Sequence, residues 1–288
     1  MVNTRILEQR LGWRATDDSG ETLPPSRPIA HAPLLQGRVD TGARPPRHHR
    51  RAEVEDIWSA LPVVLDDVGK LAARGTAPSI ARGAPAALAM DQLRTQLLRV
   101  LAERGWRRIG VTSPARGAGR SFVAAGLAAS IARLETLRVL LIDADLAEPG
   151  LQTLLGVAAP GPLEAVLSGS AAPATALVRV GSTLALALNS APLARAAERM
   201  MAPDSILGLR AMVESVAPDV VIHDLPPLLG DPVAPTLLSQ LDAVILVADG
   251  TRTTARDILE CERILEGQVP LLGVVLNKSE DRSPRSRR

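Results

Sequence analysis

The sequence has no tyrosine, one phenylalanine (Phe122) and one cysteine (Cys261). A single thiol excludes a disulfide scaffold and any cysteine-built zinc site. Four histidines spread along the chain do not make a histidine metal cluster. Aromatic residues are 1% of the chain, too few for base-stacking platforms, and the net charge is only +2. No nucleic-acid partner is therefore expected. The chain has no uncharged apolar run of about 18 residues, the length that would span a membrane. The opening MVNTRILEQRLGWR lacks the apolar core of a secretion signal. These absences lead to the expectation of a cytoplasmic protein. Lysine is also scarce, with only Lys70 and Lys278 in a chain rich in arginine. That bias means a single arginine in place of lysine says little by itself.

Two compositions succeed one another along the 288 residues. Residues 1–85 are rich in Pro, Arg, Gly and Ser, with short apolar runs such as those around PPSRP and GARPPRHHRR. Such a segment buries too little surface to offset its ordering entropy, so a mostly disordered arm is expected. Within it, AEVEDIWSALPVVLDDVGKLAA can form a short helix or an extended docking segment. The basic run Arg47–Arg51 reads as a solvated linker, with contact to acidic lipid heads as the sharper option. From residue 86 to 280 the pattern becomes short apolar strands alternating with helices: IGVTS, RVLLIDADL, STLALALN, DVVIHDLPP, AVILVADG and LLGVVLNK are the strands. This alternation predicts an α/β fold with a mostly parallel sheet covered by helices on both faces. Residues 281–288 form a basic tail.

Ligands of such sheets bind beyond the carboxyl ends of the strands, and the polar residues of interest stand there. After IGVTS comes a Gly-rich turn, Ser113 to Ser121, leading into a helix. Gly117 and Gly119 let backbone N–H groups of the segment Ala115, Arg116, Gly117, Ala118, Gly119, Arg120 and Ser121 approach phosphate oxygens. Ser121 can offer its hydroxyl to Mg²⁺. Against the G-x-x-x-x-G-K-[ST] pattern, Pro114 replaces the first glycine and Arg120 the lysine. The competing reading is an ordinary Gly-rich strand-to-helix turn. VLLIDADL then ends in Asp143 and Asp145, one carboxylate able to reach a metal or its waters and the other the nucleophile side. VVIHDLPP supplies Asp224, a candidate for orienting Mg²⁺ through water. His223 beside it reads as a satisfied core histidine. LLGVVLNK ends in Asn277, whose amide has a donor and an acceptor for an adenine edge. A plain turn asparagine is the alternative.

In this order, VTSPARGAGRS, VLLIDADL, VVIHDLPP and LLGVVLNK resemble the MinD/ParA-like P-loop ATPases. Within these, the chain is similar to the bacterial tyrosine (BY) kinases of capsule and exopolysaccharide synthesis, of the CpsD/CapB type. LRTQL is similar to that family's LRTNL, and DLPPLLGDPVAPTLLSQLDAVILVADGTRTTARD to its D-T-P-P block. The likeness covers residues 84 to 279. It implies a P-loop NTPase fold, ATP and Mg²⁺ as ligands, and ATP-dependent protein tyrosine kinase chemistry. It also implies a membrane polysaccharide co-polymerase as partner, which would bring the protein to the inner face of the plasma membrane, and a possible homo-oligomer. Carried over by position, Arg120, Asp143 and Asp145 take the catalytic places, Ser121, Asp143 and Asp224 the metal places, and Asn277 the adenine place. The chain departs from the family pattern at Ala147, where an arginine usually follows D-x-D. It departs again at Leu88 and Asp91, in the E-x-x-R-x-x-R pattern that keeps only Arg94. With no tyrosine, the chain cannot phosphorylate itself on tyrosine, so any substrate tyrosine belongs to another protein. Two other functions stay open: a catalytically impaired nucleotide-binding regulator of polysaccharide export, and a MinD/ParA-like positioning ATPase. The latter usually has a lysine near the start of the loop, where this chain has Ala115.

Overall fold

The structure of the protein, a computed structural model, describes residues 47–71, 85–161 and 163–278. The described strands are β1 (Val63–Leu65), β2 (Arg108–Thr112), β3 (Val139–Asp143), β4 (Leu177–Val180), β5 (Leu184–Ala187), β6 (Val220–Asp224), β7 (Ala243–Asp249) and β8 (Leu271–Asn277). They form one eight-stranded sheet in the order β1-β4-β5-β3-β6-β2-β7-β8. The six strands from β5 to β8 in this order are mutually parallel, whereas β4 runs antiparallel to β5 and parallel to β1. The expected P-loop α/β architecture is therefore present. No helix among the described residues is long and apolar enough to cross a membrane.

Strand side chains alternate between two apolar layers, as the period of two requires. Ile109, Val111, Leu141 and Ile222 point into one layer, with Leu93 and Leu97 of α2 (Pro85–Arg104) and Leu127 and Ile131 of α3 (Arg120–Ala132). Leu140, Ile142, Val221 and Val244 point into the other. There they meet Met212 of α7 (Pro203–Val216) and Leu237 of α8 (Val233–Leu238). The remaining helices are α1 (Arg47–Ala60), the short α4 (Leu151–Leu155), α5 (Leu163–Leu167) and α6 (Ala196–Met201), and α9 (Ala255–Leu265). The strands β3, β6 and β7 are buried at every position. That explains their unbroken apolar sequences, since no face is left to solvent. On α9, Thr254 and Asp257 form a reciprocal capping box. Cys261 lies fully buried on the inner side of that helix, and burial, with Asp257 next, pushes its thiol up to about 12.

The edge of the fold differs from the sequence expectation. Residues 54–71, expected within a mostly disordered arm, belong to the folded unit. The patch singled out as a helix or a docking strand is both. α1 precedes β1, and β1 pairs with β4 at the sheet edge. Trp58 is 1% exposed and donates from Nε1 to the Ser182 carbonyl at 2.9 Å. The Arg138 guanidinium stacks over its ring at 4.8 Å and bonds both Glu55 carboxylate oxygens at 2.7 Å. Burying an indole while satisfying its N–H is enough to order a short segment whose flanks are polar. The arm outside residues 47–71, the lipid-contacting option for the Arg47–Arg51 side chains and the basic tail lie outside what is described.

Candidate functional site

The site forms where β2, β3, β6 and β8 end together. β3 and β6 are adjacent and in register, with Asp143 opposite Asp224, and Asp224 in turn stands opposite Val111 of β2. The parallel sheet thus delivers two acids and the start of the Gly-rich loop to one place. Gly117 (φ +81°) and Gly119 (φ +93°) adopt the left-handed conformation that turns the loop into α3. Gly119 has a second constraint, because a Cβ there would lie 2.1 Å from Asn277 Nδ2. Among the described residues, no backbone hydrogen bond is made by the N–H groups of Ala115, Arg116, Gly117 and Gly119. A run of unpaired amides at a helix start suits an anion.

Two acids at this site have buried oxygens without a hydrogen-bond partner. Asp143 is fully buried, and its Oδ2 accepts the Leu151 N–H at 3.1 Å while Oδ1 has no hydrogen bond. Neither oxygen of the fully buried Asp224 makes a hydrogen bond within the usual distance. Burial, with the Asp224 charge next, pushes Asp143 up to about 8. Burial also pushes Asp224 up to about 7, against the lowering effect of the nearby Ser121 hydroxyl and Arg120. Buried carboxylate oxygens without donors are costly unless something positive meets them. The hard oxygen donors of Ser121, Asp143 and Asp224 fit Mg²⁺, which usually takes one or two carboxylates with phosphates and waters. No group of three or more His, Cys, Asp or Glu among the described residues could hold a metal by itself.

Asp145 is in a different state. Its Oδ2 accepts from Arg116 Nη1 at 2.8 Å and from Arg120 Nη2, and its Oδ1 accepts the Glu148 N–H at 3.1 Å. Arg116 also reaches Glu148 at 3.1 Å and Asp231 at 3.2 Å. The Arg120 side chain is 8% exposed, and its Nε has no partner. On the other flank, Asn277 Nδ2 donates to the Ala118 carbonyl at 2.9 Å and Lys278 Nζ to the Gly117 carbonyl at 2.6 Å. Lys278 also pairs with Asp249 at 3.1 Å. The Thr251 hydroxyl, with its backbone N–H and then Lys278, holds the Asp249 carboxyl down at about 2.

All the site residues named from sequence therefore gather at one end of the sheet. Sequence reasoning missed Glu148, Asp231, Asp249 and Lys278. Asp249 ends a strand in VADG, and Lys278 is one of two lysines; both signals were present. His223 is buried in the core as expected, but its Nδ1 has no hydrogen bond, and burial pushes it down to about 4. A cavity of about 830 Å³ opens at the opposite end of the sheet, beside Glu55, Arg107, Arg138 and Asp219. Its mixed charge and its place at the amino ends of the strands set it apart from the loop.

Residues 106–288 match a family model described as ParA, NUBPL iron-transfer P-loop NTPase. The chain belongs to the ParA family of P-loop NTPases. Within it the chain is of the BY-kinase type, homologous to tyrosine kinase domains of polysaccharide export systems. It is 31% identical over 204 residues to the succinoglycan biosynthesis transport protein ExoP of Rhizobium meliloti (strain 1021), covering 68% of this chain and 24% of ExoP. The chain thus spans about a quarter of that relative's length. The BceF tyrosine kinase domain is 25% identical with a TM-score of 0.56, over 82% of this chain and 98% of that one. The kinase domain of the Escherichia coli tyrosine kinase ETK shares the fold with a TM-score of 0.63, at 24% identity over 72% of this chain and 80% of that one.

Proposed function

We propose that this protein binds Mg·ATP at the Ser113–Ser121 loop and serves exopolysaccharide or capsule synthesis in trans with a membrane polysaccharide co-polymerase. The observation that carries the nucleotide reading is the set of three buried carboxylate oxygens without a donor, Oδ1 of Asp143 and both oxygens of Asp224, beside Ser121 and the loop amides. In this reading the amides of residues 115–119 and the start of α3 bind phosphate oxygens. Ser121, Asp143 and Asp224 hold Mg²⁺, which supplies charge neutralisation for the β- and γ-phosphates when bound. Arg120 stands in the lysine's place. Asn277 keeps the loop against β8 through Nδ2 and offers Oδ1 to an adenine edge. Phosphoryl transfer goes to a tyrosine of another protein, because this chain has none.

One observation favours the alternative of a catalytically impaired, nucleotide-binding regulator. Arg120 is bonded to Asp145 rather than free to follow a phosphate. Guanidinium is planar and wider than ammonium, and a misplacement of about 1 Å can cost about 100-fold in rate. Calorimetry of Mg·ADP and Mg·ATP with the full chain and with Arg120→Lys tests the proposal. Micromolar binding by the native protein, about −8 kcal/mol, followed by transfer to a co-polymerase tyrosine supports the kinase. Binding without transfer supports the regulator. Absence of binding by both proteins overturns the nucleotide reading.

A further inference from the structure

We propose that Asp145 is a built-in competitor of the nucleotide: its carboxylate holds Arg116 and Arg120, and phosphate oxygens must take these guanidinium groups from it. This positioning role rests on the nucleotide reading above and adds a threshold to it.

The three strand-end acids are not equivalent. Asp143 and Asp224 have buried oxygens with no donor, which suits a cation. Asp145 is 1% exposed, and both of its oxygens already receive donors from its own chain, two of them charged. An acid saturated with N–H donors has little left to give a metal. What it does instead is occupy the cationic groups that the loop has for an anion. Arg116 is shared further with Glu148 and Asp231. Two guanidinium groups therefore face three carboxylates, so no net positive side-chain charge is left over for a phosphate. Carboxylate and phosphate are recognised by the same forked guanidinium geometry, so one can replace the other. In the structure each guanidinium gives Asp145 a single bond, from Nη1 of Arg116 and Nη2 of Arg120, both to Oδ2, so the rest of each donor fork is left for a phosphate. The unbonded Nε of Arg120 is a further donor waiting for an acceptor.

The test is calorimetry of ADP with the full chain, once in EDTA and once with Mg²⁺, for the native protein, Asp145→Asn and Asp231→Asn. The competitor role predicts that Asp145→Asn tightens ADP binding about tenfold, the scale of one charge-assisted hydrogen bond, both with and without Mg²⁺. Asp231→Asn, which frees one arm of Arg116, tightens it about twofold to threefold. If Asp145 were instead a metal contact, its variant would weaken Mg·ADP and leave ADP in EDTA unchanged, and that result overturns the role. Unchanged affinity in both conditions overturns it too. Because Asp145→Asn leaves a buried guanidinium poorly paired, its fold is checked by circular dichroism. If it does not fold, the partly buried pair of Arg116 and Asp231 decides, and no gain there counts against the role. Binding by the native protein without a gain in the variants refutes the competitor alone. No binding by any of the three, in either condition, refutes the nucleotide reading and the competitor with it.

Discussion

Aspartates stand at both ends of this sheet, and they do opposite things. At the amino ends, Asp242 Oδ2 accepts the N–H groups of Arg107 and Arg108 at 2.7 and 2.8 Å, and Asp219 Oδ2 accepts that of Arg138 at 2.8 Å. These acids are solvated and satisfied, and they fix where strands begin. At the carboxyl ends, Asp143 and Asp224 are fully buried, face each other across β3 and β6, and have oxygens without donors. The residue type is the same, and so is the position beside a strand. Burial with oxygens left unpaired is what separates the acids at the carboxyl ends from those at the amino ends.

The contrast breaks most sharply at Asp224. Asp224→Asn is expected to weaken Mg·ADP binding by about 100-fold, the upper range for disturbing a metal site. The same change should raise the melting temperature of the nucleotide-free protein, because it removes a buried unpaired charge. A variant that keeps its affinity, measured by calorimetry, would remove Asp224 from the site. Asp242→Ala should do the reverse. It strips the acceptor from two strand amides and costs about 1–2 kcal/mol of stability by denaturant titration, with nucleotide affinity unchanged.

The pH profile sharpens the comparison further. Asp143 and Asp224 have folded values raised to about 8 and about 7, above the ordinary value of 3.8. Their contribution to stability is fully present below the ordinary value of 3.8 and is lost progressively as pH rises from there through 7 to 8. The melting temperature of the nucleotide-free protein should therefore fall from about pH 4 to about pH 8 and level off above that, and saturating Mg·ADP should flatten the fall. A slope that persists unchanged with Mg·ADP bound would show that other groups carry it. His223, lowered to about 4 from 6.5, acts in the other direction and removes stability as pH falls from 6.5 towards 4. The smallest effect is expected at the loop's other flank. Lys278 is about half exposed, so Lys278→Met should change stability by no more than about 1 kcal/mol by thermal denaturation.

The sheet was legible because its central strands are buried on both faces and announce themselves as unbroken apolar runs. The acids were legible because each ends such a run. What the sequence did not display is pairing over distance. Nothing local to Arg116 points to Asp231, 115 residues away, or local to Asn277 points to the Ala118 carbonyl, 159 residues away. These contacts depend on which strand ends the fold brings together. The antiparallel β4 was missed for another reason: ALVRV and STLALALN are short neighbours, and only STLALALN was read as a strand. The ordered part of the arm was hidden by averaging. Trp58 and a few apolar neighbours sit inside a long Pro/Arg-rich stretch, and their effect comes from docking on β4 and Arg138.

The buried thiol of Cys261 has a practical corollary. The chain's one native sulfhydryl is sealed inside α9 and held in its protonated form, so it should resist maleimides and disulfide exchange while the fold is intact. A cysteine introduced on the surface, at Glu148 for example, would then be the single labelling point. A fluorophore or spin label there could report directly on the departure of Arg116 from its acids.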